Sequence, residues 1–563
     1  MYSNKKIVQI LGEILKSKSI FHIIISPGSR NAPIIIHFTQ DEQFKTYSIV
    51  DERCAAFFAL GISQMLQKPV IINCTSGSSV VNYYPAVTEA FYQNIPLIIL
   101  TADRPKHMRN IFEGQSIFQE NIFSKHVESS IQLTEEETKK GLEYDEKLLN
   151  ESINKCIIYK KPIHINVPFS EPLYETTKRI YVNPKIIKLI SVQTCLNKFN
   201  YYKKELSLWN QSKKKMILLG FCPINKKIVK YLTVLSSNPS IVIFVENISH
   251  VRGAMFFSNI DQLISGMNLH YWIHLMKPEI LLTIGGNLIS KKIKSILKKS
   301  PPKFHWHLEE KNDNYPDNYY RLNTFWPIKP ELFLKFFSRN DKHLFSYYKK
   351  EWNKIQKKKN KKLECFFKKE QSFSDLTVFS LIFPKIPNRS ILQLGNSMVI
   401  RYYQLFIDKN SSIQCYCNRG TSGIEGSVST AIGCSVISKQ RVTLIIGDIS
   451  FFYDSNALWN NYIPNNFRII LINNGGGNIF RFVSKKKLPK KVFNFFETKH
   501  DMTAKKICEM YQWKYKQVSN FKELKKILKI FWKNYDSPFL LEIHTNGKEN
   551  EKVFRKFCSY LSL

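Results

Sequence analysis

The chain has 563 residues, of which 44% are apolar and 23% charged. That length and balance exclude a peptide hormone or small adaptor, argue against global disorder, and predict about three packed domains. Lysine and arginine number 83 against 45 aspartates and glutamates, a net charge of +38, which suits nucleic acid, anionic membrane or acidic small molecules and selects none of them. The lysines are spread throughout, beside frequent Ile and Asn, so the bias reads as codon drift towards A and T more than as a nucleic-acid footprint.

Residues 1–19 form an amphipathic stretch without the basic head, apolar core and cleavage site of a signal peptide. No run reaches about 18 uncharged apolar residues. The eleven cysteines (Cys54, Cys74, Cys156, Cys195, Cys222, Cys365, Cys415, Cys417, Cys434, Cys508, Cys558) show no CxxC or Cys/His metal spacing and are expected as buried thiols in a reducing compartment. A cytoplasmic protein is expected.

In chain order, FHIIIS (21–26) is a strand ended by Pro27-Gly28-Ser29. PVIIN (69–73), a small-residue turn, a helical pattern over 80–93 and PLIILT (96–101) make a βαβ unit, and strands apolar on both faces belong in a parallel sheet covered by helices. This block closes near PIHINVPF (162–169). A second block carries strands at 214–221, 240–246 and 279–286. Lysine-dense residues 347–369 read as a helical or linker stretch with a solvated face, the best candidate for a domain connection. A third block repeats the scheme at 391–398, 442–450, 468–477 and 539–545. The expected architecture is α/β, three consecutive doubly wound parallel-sheet domains at 1–180, 181–350 and 351–563.

Ligands of open parallel sheets bind beyond the carboxyl ends of the strands. There the third block places Gly447-Asp448-Ile449-Ser450, with a helix expected to start around Asp454, and, 26 positions after Asp448, Asn474 within Asn473-Asn474-Gly475-Gly476-Gly477. The Asp448 carboxylate, the Asn474 amide oxygen and the Gly476 carbonyl make an oxygen-only set suited to Mg²⁺ bridging a diphosphate. Strand-end Asp and Asn are also common turn formers. Their spacing gains weight from Glu52, placed just before the helical pattern AAFFALGISQ, because the three together have the layout of thiamine diphosphate enzymes.

The segments ISPGSRNAPI, VDERCAAFFALG, TADRP, HINVPFSEPLY, LGNSMVIR, NRGTSGIEG, GDISFFYDSNAL and NNGGGNIF resemble the 2-succinyl-5-enolpyruvyl-6-hydroxy-3-cyclohexene-1-carboxylate synthases, a thiamine diphosphate-dependent family of menaquinone biosynthesis. The resemblance is near-continuous over 21–172 and 391–480 and weak elsewhere. It implies pyrimidine-binding, central and diphosphate-binding domains in that order, and decarboxylation of 2-oxoglutarate with conjugate addition of the remainder to isochorismate. It further implies that Glu52 contacts the aminopyrimidine, that Ile424 bends the cofactor, and that Gly447, Asp448, Ser450, Asn474, Gly476, Ile479 and Phe480 line its site, with Mg²⁺ or Mn²⁺ on Asp448, Asn474 and Gly476. Ser29, Arg30, Arg104, Gln115, Ser397, Arg401 and Arg419 match family substrate contacts, and guanidinium forks suit two acidic substrates. Lys291 and Lys292 stand where relatives have Lys-Arg, which keeps the charge and loses the fork. The active unit implied is a dimer or dimer of dimers with sites between subunits. The chain has no His-His pair, a device several decarboxylases of this superfamily use to move protons, which favours carboligation over simple decarboxylation. The rival readings are another carboligase or 2-oxoacid decarboxylase of the superfamily, and a basic nucleic-acid-binding protein on a dead enzyme fold.

Overall fold

The structure, a computed structural model, describes residues 1–109, 111–135, 137–188, 203–222, 225–286, 288–310, 315–406, 412–483 and 489–562. Cys195 and residue 287 of the GGNLIS segment lie outside the described residues. All ten described cysteines are free thiols, and eight of them are buried.

Three open sheets carry the chain. The first runs, in spatial order, Lys45–Ser48, His22–Ile25, Val70–Cys74, Leu97–Asp103, Ile163–Pro168 and Ser129–Gln132, with every pairing parallel. Its strands are apolar on both faces for a visible reason: Ile24 and Ile72 enter one core, whereas Ile23, Ile25 and Ile71 enter another on the opposite side. The third sheet runs Gln414–Tyr416, Ile391–Leu394, Val442–Gly447, Arg468–Asn473, Phe539–His544 and Lys514–Val518, again all parallel. Numbered within each unit, both sheets have the order 2-1-3-4-6-5. The central sheet, Ile241–Val245, Lys215–Leu219, Ile280–Ile284, Phe304–Leu308 and Leu322–Trp326, has the order 2-1-3-4-5.

The strands absent from the sequence reading are mostly edge strands with exposed polar residues, such as Lys45–Ser48 and Lys514–Val518, and such strands lack a continuous apolar run. Phe304–Leu308 lies inside its sheet, but His305 and His307 interrupt its apolar run and contact Thr283 Oγ1 at 2.9 and 2.8 Å. The helical pattern over 80–93 divides into Ser78–Asn82 and Tyr84–Gln93, with Pro85 in the first turn of the second helix.

The first and third units share a core. The Glu52–Leu66 helix lies against the Ser427–Ile437 helix so closely that a Cβ at Gly61 would sit 2.0 Å from Thr430 O and one at Gly433 2.0 Å from Phe58 O. Phe57, Phe58, Val428, Ala431 and Ile432 pack in this seam. Arg53 Nη1 donates to Tyr453 O at 3.0 Å, and Asp454 accepts from Ser429 N and Oγ at 2.8 and 2.9 Å. Burial pushes the Asp454 carboxyl up to about 7.

The lysine-dense stretch is one helix, Tyr348–Lys369, and the expected boundary at 350/351 falls inside it. One face is solvated as expected, with Lys354, Lys357, Lys358 and Lys361 exposed, and the other is packed: Trp352, Leu363 and Phe366 are buried, and Lys359 Nζ donates to Ser265 O at 2.6 Å and to Leu561 O. Among the described residues no helix is long and apolar enough to cross a membrane.

Candidate cofactor and substrate site

In both six-stranded sheets the strand order reverses between strands 1 and 3, where two neighbouring chain segments leave the carboxyl edge in opposite directions and open a crevice. In the third sheet those strands are Ile391–Leu394 and Val442–Gly447, and a cavity of about 330 Å³ lies beyond their ends. Ser397, Ile424, Gly447, Asp448, Ser450, Asn474, Gly476, Ile479 and Phe480 all line it.

The Asp448 carboxylate opens a helix, Asp448–Tyr453, which starts six residues before the position the sequence suggested. Its Oδ1 accepts from Ile449 N at 2.7 Å, and its Oδ2 accepts from Asn474 N at 3.1 Å and Gly476 N at 3.0 Å. The side chain is 3% exposed, so the next strand's loop is wrapped around it. That wrap needs glycine: Gly475 and Gly476 hold φ of +72° and +143°, and a Cβ at Gly476 would lie 2.5 Å from Glu497 O. His500 Nε2 lies 3.4 Å from Asp448 Oδ2, and this contact raises the imidazole above its ordinary pKa.

Two observations show that the residues suit a diphosphate and its cation. Asn474 Oδ1, Asn474 O and Gly476 O converge on one atom, Asn478 Nδ2, while the buried Asn478 Oδ1 has no hydrogen-bond partner among the described residues. Oxygens meeting at one point are the donor set a hard cation takes. Gly447 has φ −84° and ψ 160°, open to any residue, yet a Cβ there would meet nothing within 4 Å. Its hydrogen leaves the cavity floor clear for a ligand. Among the described residues no three His, Cys, Asp or Glu form a metal cluster; the candidate set has a single carboxylate.

Supporting contacts come from far along the chain. Asp375, 1% exposed, accepts from Asn474 Nδ2 at 2.9 Å and from Thr545 Oγ1 at 2.5 Å, which aims the Asn474 amide oxygen away from it. Burial pushes the Asp375 carboxyl up to about 6, with Asp448 adding to the rise. Ser450 Oγ donates to Ile424 O at 2.7 Å and so anchors the cavity wall. Ser397 holds φ 70° and ψ −125°, a strained backbone of the kind found at functional sites.

Beside the cavity stands a group of cations. Arg419 Nη1 donates to Asn396 Oδ1 at 3.0 Å, and Asn396 Nδ2 donates to Asn418 O and Gly423 O at 2.7 and 2.6 Å. The first unit clamps the same loop: Glu89, 1% exposed, accepts from Gly420 N at 2.7 Å and Thr421 N at 2.6 Å. Arg401 has a buried Nε without a hydrogen-bond partner among the described residues. Burial lowers its pKa, and the neighbouring Arg419 charge adds to that.

The remaining predicted residues lie elsewhere on this chain. Glu52 Oε2 accepts from Asn82 Nδ2 at 3.2 Å, and Glu52 does not line the cavity. Ser29 and Arg30 follow strand 1 of the first sheet, at its own reversal point. Arg30 Nη1 donates to Phe169 O at 2.9 Å and lies 3.3 Å from Glu171; Arg104 Nε donates to Gly114 O at 2.8 Å, with Nη1 3.1 Å from Glu113. The exposed Gln115 has φ 53°. The expected residues thus fall into two groups, one beyond the strand ends of each six-stranded sheet. Lys291 and Lys292 are both exposed, and Lys292 Nζ turns to Ser265 Oγ at 3.2 Å and Asp261 O at 3.5 Å instead of joining Arg401 and Arg419.

Residues 5–128 match the thiamine pyrophosphate enzyme N-terminal TPP binding domain and residues 395–543 the C-terminal TPP binding domain. Fold, strand-end site and these matches define a thiamine pyrophosphate enzyme. Proteins named 2-succinyl-5-enolpyruvyl-6-hydroxy-3-cyclohexene-1-carboxylate synthase are similar throughout: that of Flavobacterium psychrophilum is 43% identical over 100% of both chains. The one of Flavobacterium johnsoniae is 42% identical over 100% of both, and the one of Christiangramia forsetii 41% over 100% of this chain and 99% of its own. The chain belongs to the 2-succinyl-5-enolpyruvyl-6-hydroxy-3-cyclohexene-1-carboxylate synthase family. The similarity extends across the central unit and the C-terminal stretch, beyond the two segments where the motifs are dense.

The sequence reading missed Asp375, Asn396, Asn478 and Glu89. Asn478 stands next to the metal motif and was within reach. The other three are ordinary polar residues at 23 to 331 positions from their partners, and no local pattern marks them.

Proposed function

We propose that the chain catalyses the joining of 2-oxoglutarate to isochorismate with loss of CO₂, giving 2-succinyl-5-enolpyruvyl-6-hydroxy-3-cyclohexene-1-carboxylate in menaquinone biosynthesis. The observation that carries the reading is a largely apolar cavity with the polar groups of Asp448, Asn474 and Gly476 at the strand ends, beside the half-buried Arg401, whose buried Nε has no partner among the described residues. A guanidinium N–H held out of water in that way suits a carboxylate acceptor, and both substrates are carboxylic acids.

Asp448, the Asn474 amide oxygen and the Gly476 carbonyl would hold Mg²⁺ or Mn²⁺, and Gly447 and Ser450 would border the diphosphate. Thiamine diphosphate, when bound, supplies the nucleophilic carbon and the electron sink for decarboxylation. Glu52 would hold a hydrogen bond to the pyrimidine ring, and Ile424 would form the wall beneath it. Arg401 and Arg419, with Ser397, would receive substrate carboxylates, and Ile479 and Phe480 would exclude water from the apolar side.

Glu52, Ser29, Arg30, Arg104 and Gln115 reach such a cavity when a second copy of the chain supplies its first unit, so the active form is a homodimer or dimer of dimers. Exposed apolar side chains flank both half-sites and support this: Ile111, Phe112 and Phe118 beside Gln115, and Phe480 and Phe496 at the cavity. The enzyme acts in the cytoplasm on small molecules, with no nucleic-acid partner and no membrane insertion.

The test incubates the purified chain with thiamine diphosphate, Mg²⁺ and 2-oxoglutarate, with and without isochorismate, following CO₂ and product mass. Product formation and acceptor-dependent CO₂ release are expected. Oxoacid consumption that ignores isochorismate would establish a different carboligase or decarboxylase. Salt-sensitive nucleic-acid binding without any need for thiamine diphosphate would establish the dead-fold alternative.

A second expected result concerns the cavity floor. Gly447→Ala should fold normally, with an unfolding midpoint within about 2 °C of wild type, because its dihedrals and surroundings accept a Cβ. Its methyl group should nevertheless weaken thiamine diphosphate binding about tenfold, in line with the roughly 1–3 kcal/mol of overpacking a tight site. Calorimetric titration at full wild-type affinity would remove Gly447 from the diphosphate site.

A further inference from the structure

The Lys291–Lys299 helix of the central unit is amphipathic, and its buried face, Ile293, Ile296 and Leu297, sets its rotation against the sheet. Lys291 and Lys294, three positions apart, therefore share a side. Lys292 projects in another direction, to Ser265 Oγ and Asp261 O. Lys294 is half-buried, and its Nζ donates to Leu288 O at 2.9 Å. The turn before this helix is joined to the third unit: Glu246 holds Ile289 N and Ser290 N, and the adjoining Asn247 donates from N to Gln404 Oε1 at 3.2 Å and from Nδ2 to Tyr403 O at 2.8 Å, which puts Lys294 among the charges of Glu246, Arg419, Arg401 and Lys291.

A buried carboxylate holds this arrangement in place. Glu246, fully buried, accepts from Ile289 N at 2.7 and 2.8 Å through its two oxygens and from Ser290 N at 2.8 Å. These bonds tie down the turn that begins the helix, and Ser290 Oγ donates to Asp261 as well as capping Ile293 N. The charges acting on this corner are four cations, Lys291, Lys294, Arg401 and Arg419, and two carboxylates, Glu246 and Asp261. An ammonium with one hydrogen bond has two further N–H groups to offer.

We infer that Lys294, and not Lys292, is the central unit's contact to a substrate carboxylate, completing with Arg401 and Arg419 a cation cluster that selects acidic substrates. The inference rests on the proposed function and deepens it: the lost guanidinium fork at position 292 is replaced by an ammonium two residues on, from the helix face that meets the third unit. Lys292 instead fixes the helix to the 261–265 segment.

The experiment compares Lys294→Met, Lys292→Met and, as a control on the exposed last turn, Lys299→Met, each as the holoenzyme with thiamine diphosphate and Mg²⁺. KM and kcat are measured for 2-oxoglutarate and isochorismate separately. Lys294→Met is expected to raise the KM of one of the two acids about tenfold, the scale of a lost hydrogen bond to a charged group, with kcat changed less than about threefold; the acid affected identifies the carboxylate. Should the methionine variant fail to fold, Lys294→Gln, which keeps a donor for Leu288 O, takes its place with the same expected result. An unmoved KM for both acids at wild-type turnover overturns the assignment alone, as does a KM rise found in Lys292→Met and not at position 294. A wild-type chain that consumes neither acid overturns the proposed function and this assignment together.

Discussion

Replacing Glu52 with glutamine is expected to lower kcat by about 10²–10⁴, the range a positioned proton-transfer group contributes, while the protein stays folded and still binds thiamine diphosphate. The helix start does not depend on the charge. Asp51 caps it by accepting from Cys54 N at 3.1 Å, and glutamine keeps an acceptor for Asn82 Nδ2. What is lost from stability is the attraction of one carboxylate to the helix N-terminus, about 0.3–1 kcal/mol. Binding survives because the Asp448, Asn474 and Gly476 set is a separate half-site in another unit. Steady-state rates with a parallel thermal scan check this. A rate within tenfold of wild type would take Glu52 out of the chemistry.

Asp448→Asn should act on the other half-site and by another route. All three N–H groups around this side chain point at carboxylate oxygens, so an amide must turn its own NH₂ towards at least one of them, at a local cost of about 1–3 kcal/mol. The candidate cation set also loses its single negative ligand. Changes to groups that merely support a metal ligand cost about 10–100-fold in affinity, and removing the ligand's charge should exceed that, at about 100-fold or more. Titration of Mn²⁺ into the protein with thiamine diphosphate, followed by electron paramagnetic resonance, reads this directly. Undiminished Mn²⁺ affinity would place the cation elsewhere. The two variants are distinguishable: the first binds cofactor and fails to turn over, and the second fails to bind.

The cavity residues Gly447, Asp448, Ser450, Asn474 and Gly476 were legible because each stands directly after an apolar strand, where a parallel sheet presents its ligand edge. Of the two neighbouring asparagines, Asn474 lines the cavity, whereas Asn473 Nδ2 donates to Glu542 and Met502 O. The helix after Asp448 starts six residues before the expected position: DISFFY carries no side-chain cap at its start, and the Asp448 carboxylate there is held by the Asn474–Gly476 loop. Helix periodicity bears on Lys292 and Lys294. Ile293, Ile296 and Leu297 mark the buried stripe, and counting round the helix from that stripe separates 292 from 294. What no count supplies is which neighbour lies opposite, and Arg401 and Arg419 come there from the third unit.

The sequence by itself determined which residues stand at the strand ends and the α/β class, since both are local: an apolar run, a glycine that clears space, a carboxylate one residue later. Tertiary structure alone decided which of these ends meet. Glu89 with the 420–421 loop, Asp375 with Asn474, Asn396 with Arg419, and the glycine-to-backbone contacts of the Glu52–Leu66 and Ser427–Ile437 helices join residues 23 to more than 300 positions apart. Such pairs are selected by the burial of two faces against each other. A buried polar group accepts whichever partner that packing delivers.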